Sequence, residues 1–279
     1  MKKISCITAI LLVLILAGCF GGIQAPLSAT SNSLEEQNVE PTFDTATQTI
    51  YLQVALCDNT YQGIVPIPAK IGNGQDPGAN LYWGAAFGIK TFFRKSKNWE
   101  LISTRNPNDT ILERLIFRHK QHKAVYLVAD AYNGKYIKQC TVDFLNNSSG
   151  TVKDTVMVTG KALGIKGHAT TLAYIGHDGL MDFQLKETFI NTDKVKRDIF
   201  VLACFSKKYF APYLAQAQVK PVLWTSHLMA PEAYIIHDAL EIYLNKGTPE
   251  QVRSHAAAAY ARYQKCSLKA AQNLLVTGW

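Results

Sequence analysis

Two residues able to do covalent chemistry stand just beyond apolar runs of this chain. His177 follows the run 171–175 through Gly176, and Cys204 follows the run 199–203. An imidazole that takes a proton and a thiol that becomes nucleophilic on losing one suffice for acyl transfer, given backbone N–H groups for the oxyanion. Other polar residues hold equivalent places. Asp58 and Asn59 follow the run 50–56 and Cys57, and either bind a substrate or turn the chain. Ser226 and His227 follow the run 222–225, where His227 is a rival base or simply precedes a helix near Pro231. The glycine-rich stretch 71–78 lacks the spacing of a dinucleotide fingerprint and the lysine of a P-loop, and reads as a structured turn. Tyr82, Trp83 and Phe87 read as core. His119 and His122 lie in a Lys-rich stretch without neighbouring acids or cysteines, so no metal is expected, and no cofactor fingerprint is present.

These positions matter only if the intervening elements bring them to one edge. Short apolar runs at 50–56, 99–104, 111–117, 125–129, 171–175, 199–203 and 222–225 predict strands, several without the alternation of a one-sided sheet. Longer amphipathic stretches at 81–95, 134–146, 208–218, 231–244 and 249–263 predict helices. Thr248-Pro249-Glu250 supplies an N-cap followed by proline at the first helical position. The alternation predicts one α/β domain with a largely parallel sheet. Open sheets of this kind bind ligands at the carboxyl ends of their strands, where His177 and Cys204 fall.

The segment from Thr171 to Gly179, Thr-Leu-Ala-Tyr-Ile-Gly-His-Asp-Gly, and the segment Ile199-Phe-Val-Leu-Ala-Cys204-Phe-Ser206 resemble the clan CD cysteine peptidases, which include caspases, gingipains and CHAT-domain proteins. In these an apolar strand ends in His-Gly and a following one in Ala-Cys. The tail, with Trp224, Ser226, an amphipathic helix and an Ala-rich helix, is similar as well; the resemblance covers 169–263. It implies a caspase-like three-layer α/β/α fold with a mostly parallel central sheet. It further implies a cysteine endopeptidase in which Cys204 attacks a peptide carbonyl and His177 is general base and acid. The oxyanion would rest on the backbone N–H of Cys204 and of a residue just after His177. The sequence departs from the family here, reading His177-Asp178-Gly179, so Asp178 or Gly179 would fill that place, or the domain keeps the fold and binds without catalysing. Trp224 and Ser226 would lie beside the substrate.

The N-terminus indicates where such a domain would work. Lys2 and Lys3 precede an apolar run at 9–17 that closes as Leu16-Ala17-Gly18-Cys19. This is too short for a membrane span and has the layout of a secretory signal. Leu-Ala-Gly-Cys resembles the bacterial lipoprotein signal, which implies cleavage after residue 18, acylation of Cys19 and attachment to the cell envelope. Phe20 follows, with no Asp to retain the protein at the inner membrane, so the outer membrane is expected. Residues 19–48 then read as a lipidated N-terminus and polar tether, and 49–279 as the folded domain. The formal charge of +8 loses two lysines with the signal, and the remaining cations are scattered at element edges. They read as solvated surface rather than a nucleic-acid footprint, and the expected partners are a peptide or protein substrate and a lipid bilayer. Six cysteines in 279 residues exclude a disulfide scaffold. With Cys6 and Cys19 set apart and Cys204 free, at most one disulfide is expected among Cys57, Cys140 and Cys266.

Overall fold

The computed structural model describes residues 43–279; the signal segment, Cys19 and the tether up to residue 42 lie outside the described residues. The strand β1 (Gln48–Ala55) is buried from Thr49 onward, as expected of a strand covered on both faces. It is followed by α1 (Ile89–Arg94), β2 (Trp99–Arg105), β3 (Ile111–His119), β4 (Val125–Tyr132) and α2 (Ile137–Ser149). Next come the hairpin β5 (Lys153–Val158) and β6 (Lys161–Lys166), then β7 (Thr171–Gly176), β8 (Asp198–Leu202), α3 (Ser206–Gln216) and β9 (Lys220–Thr225). The chain closes with α4 (Ala233–Leu244), α5 (Pro249–Gln264), α6 (Leu268–Leu274) and β10 (Leu275–Val276).

One eight-stranded sheet runs β10-β9-β8-β7-β1-β4-β3-β2. Its five central strands, β9 to β4 in that order, are parallel, and antiparallel strands border them on both sides. Ile50, Leu52 and Val54 of β1 pack with α1, α4, α5 and α6 on one face. Tyr51 and Ala55 pack with α2, α3 and the β5–β6 hairpin on the other. This is the expected three-layer α/β architecture. Chain order reverses direction across the sheet between β1 and β7, and a crevice opens at such a switch point beyond the carboxyl ends of the strands.

The predicted strands are all present, with no bound moved by more than three residues. The predicted helix 81–95 shrinks to α1. Buried Asn80 receives the backbone N–H groups of Cys57 and Tyr82 on its side-chain oxygen, so the chain turns there instead of coiling. The β5–β6 hairpin and α6 were not predicted. The hairpin turns through Thr159 and Gly160, both at positive φ, as a tight two-residue connection demands, but Thr-Gly is a weak signal for it. Two polar expectations also change. Arg197 is not solvated: it is 1 % exposed and donates to the Gly167 carbonyl and to Asp193. His119 is buried and has an acid beside it, Glu241 of α4, at 3.4 Å. Residues 43–47 already engage the domain, with Asp44 accepting from Lys161 at 3.1 Å.

Candidate active site

β7 ends at Gly176 with φ +140°, and a Cβ there would stand 2.5 Å from the carbonyl oxygen of Ala55 in β1. Only glycine lets the two strands approach this closely while the chain swings out to His177. The His177 carbonyl accepts from the Tyr174 hydroxyl at 2.8 Å. Its ring is nearly buried, and Nε2 lies 2.7 Å from Asp182 Oδ2. With the Nε2 proton donated to Asp182, the lone pair sits on Nδ1, the form in which the imidazole accepts a proton. The same Asp182 oxygen receives the Gly63 N–H at 2.9 Å.

Cys204 occupies the turn from β8 into α3. The next residue, Phe205, is left-handed at φ +49°, and its N–H donates to the His227 carbonyl at 2.9 Å. Below the turn, the Ser206 and Thr225 hydroxyls lie 3.0 Å apart, Ser206 Oγ donates to the Val201 carbonyl at 2.8 Å, and Thr225 donates to the Ala203 carbonyl. These bonds lock the carboxyl ends of β8 and β9 together. The Cys204 sulfur faces Met229: its thiol donates to the Met229 carbonyl at 3.6 Å and receives the Met229 N–H at 3.4 Å. Burial raises the thiol pKa, the bond from Met229 works against this, and the Asp178 carboxylate raises it further. The resting group is therefore a thiol, and a base is needed to make it a nucleophile. The Cys204 backbone N–H donates to no group among the described residues.

His177 and Cys204 line one cleft of about 280 Å3 with Tyr82, Gly176, Gly63, Ile64, Val65, Met181, Leu228, Met229 and Pro231. The two residues predicted to act together are thus placed at one crevice. A larger cavity of about 440 Å3 lies at the opposite ends of the strands, around Gln48, Thr170 and Arg197. Its cations Arg197 and Lys153 are both paired with Asp193, and no cysteine is among its described lining residues.

The remaining predicted positions do not line the cleft. Asp178 is fully buried; its Oδ1 accepts from the Leu180 N–H at 3.0 Å and its Oδ2 has no partner among the described residues. Burial, aided by the nearby Asp182 carboxylate, pushes its pKa up to about 7 against the Leu180 bond. Gly179 packs under Phe183 and Ile137. Asp58 accepts from the backbone of Thr60, Tyr61 and Gly74 and from Gln75, and so pins the glycine-rich turn. Asn59 bonds both backbone groups of Ile67. Trp224 donates to the Gly278 carbonyl, and Ser226 to those of Asn273 and Leu274, so both hold the C-terminal tail. His227 bonds Ser226 at 2.8 Å and packs on Phe205.

The sequence reading missed four parts of this site. Asp182 follows His177 closely, and a carboxylate that near a strand-end histidine was a usable signal. Gly63 and Met229 act through backbone groups, and Tyr82, in the core as expected, also lines the cleft; no residue pattern announces these roles. Cys57, Cys140, Cys204 and Cys266 are all free thiols, with Cys57 and Cys140 on opposite faces of the sheet. Comparison with family models, with curated proteins and with solved structures finds no match to this chain.

Proposed function

We propose that this chain is a cysteine endopeptidase of the caspase-like type, anchored to the bacterial envelope through acylated Cys19, with Cys204 as nucleophile and His177 as base. The observation that carries the proposal is a single cleft lined by a strand-end thiol and a strand-end imidazole whose Nε2 lies 2.7 Å from Asp182. His177 Nδ1 takes the thiol proton as the sulfur attacks the scissile carbonyl carbon; a C–S bond forms and the π pair moves to oxygen. The free N–H of Cys204 receives that oxyanion. Collapse re-forms the carbonyl and breaks the C–N bond, and His177 hands its proton to the leaving amine. Water, deprotonated by His177, then attacks the thioester; the acid leaves and the proton returns to the sulfur. Asp182 is a positioning residue that steadies the imidazolium formed in each half.

The test uses the purified full-length protein in detergent and a peptide library. Cys204→Ala is expected to lower kcat/KM by roughly 10^3-fold or more. Cleavage unchanged in that variant overturns the assignment. A second reading, a non-catalytic envelope lipoprotein that binds a partner through the same cleft, draws on the upward shift of the Cys204 thiol. It is favoured if alkylation of Cys204 in the intact protein tracks a thiol titrating above the ordinary value of about 8.5 and no peptide is cleaved.

A further inference from the structure

The cleft carries a statement about its substrate. Among the described residues no Asp, Glu, Lys or Arg lines it, and its walls beyond the dyad and Tyr82 are apolar side chains and glycines. Three of these wall residues stay open to solvent although hydrophobic: Val65 at 86 %, Leu228 at 66 % and Met181 at 39 % exposure. Scattered exposed apolar residues need no explanation, but three converging on the mouth of the cleft that holds a candidate nucleophile mark a contact surface. A volume of about 280 Å3 lies near the lower bound for small-molecule pockets and suits one or two side chains.

Both walls are tied to the reacting groups. The wall of Gly63, Ile64 and Val65 is held by the Gly63 N–H on Asp182, which also orients His177. The wall of Leu228 and Met229 is held by the two bonds between Met229 and the Cys204 thiol. A side chain seated between the walls therefore sets the position of its neighbouring carbonyl relative to sulfur and base at once. The Asp182 carboxylate behind this lining is already bonded to His177 and Gly63, so a charged side chain would lose its hydration there without meeting an unpaired opposite charge.

Resting on the endopeptidase reading, we propose that this cleft is a specificity pocket for an apolar side chain (Leu, Met or Phe size) next to the scissile bond, and that it rejects acidic and basic ones. The experiment pairs cleavage by the full-length protein with binding of the same peptides to its Cys204→Ala variant, measured by fluorescence anisotropy. The peptides differ only at one residue, Leu, Met, Phe, Asp or Arg. Apolar peptides are expected to bind at least 10-fold tighter than charged ones. Val65→Glu, at an exposed position, is expected to cut that preference at least 5-fold with an unchanged melting temperature. Equal or tighter binding of the charged peptides, or no peptide binding at all, overturns the pocket. An apolar preference in binding without cleavage by the unmutated protein keeps the pocket and overturns the peptidase. Cleavage indifferent to the varied residue keeps the peptidase and overturns the pocket.

Discussion

The buried Asp178 carboxyl lies between the His177 turn and the Cys204 thiol, and its protonation reaches both stability and reactivity. In the unfolded chain it ionises near pH 4; in the fold its pKa is raised to about 7, chiefly by burial. A raised folded pKa means that the unfolded state gives up its proton first. Stability is then full below about pH 4 and is lost as pH rises through about 7. Asp178→Asn, which keeps an acceptor for the Leu180 N–H, should stabilise the protein at pH 8 by up to about 4 kcal/mol and change little at pH 4. Denaturant titrations at the two pH values measure this, and a pH-independent difference would refute it. The same variant should speed alkylation of Cys204 at pH 8, because the ionised carboxylate raises the thiol pKa. The sequence displayed Asp178 as a residue breaking the His-Gly pattern. It could not show that the side chain is fully buried, because burial is decided by how the turn packs and not by residue type.

At the scale of elements, the site depends on how strands end. Gly176 closes β7 against β1, and Phe205 turns the chain from Cys204 into α3. Gly176→Ala is expected to cost roughly 3 kcal/mol, because the left-handed conformation and the Ala55 carbonyl both oppose a Cβ. A melting temperature within a degree of the unmutated protein would show that the strands have room to part. The long buried strands were legible because five parallel strands covered on both faces must be apolar throughout. α5 was legible from Thr248 as N-cap and Pro249 at the first helical position, and the structure adds a capping box between Thr248 and Gln251. The β5–β6 hairpin was not, because it buries few side chains and its alternation is weak. Residues 81–88 read as helical by composition, yet the bonds of Asn80 to the Cys57 and Tyr82 backbone bind this stretch into a turn.

At the scale of the whole molecule, a folded α/β unit follows a segment with the layout of a lipoprotein signal. If Cys19 carries the anchor, Cys19→Ala should move the protein from the membrane pellet to the soluble fraction; an unchanged distribution in fractionated cells would remove the anchor from the proposal. The net charge of +8 is a surplus over cations that are neutralised in ion pairs such as Arg114–Asp130 and Arg197–Asp193. The sequence by itself determined the order and type of the main elements, because hydrophobic period and capping are local properties of the chain. It also placed a histidine and a cysteine at strand ends. Only the tertiary structure decided that these ends meet at one crevice, since strand order is fixed by packing between distant segments. It alone supplied Gly63 to one wall and Met229 to the other, because backbone N–H and carbonyl groups leave no mark in residue type, and it set Asp182 against His177. Asp58 and Asn59, read as binders or turn formers, brace a turn, and Trp224 and Ser226, expected by resemblance beside the substrate, bond the C-terminal tail, because polar groups at strand ends satisfy the backbone that turns around them.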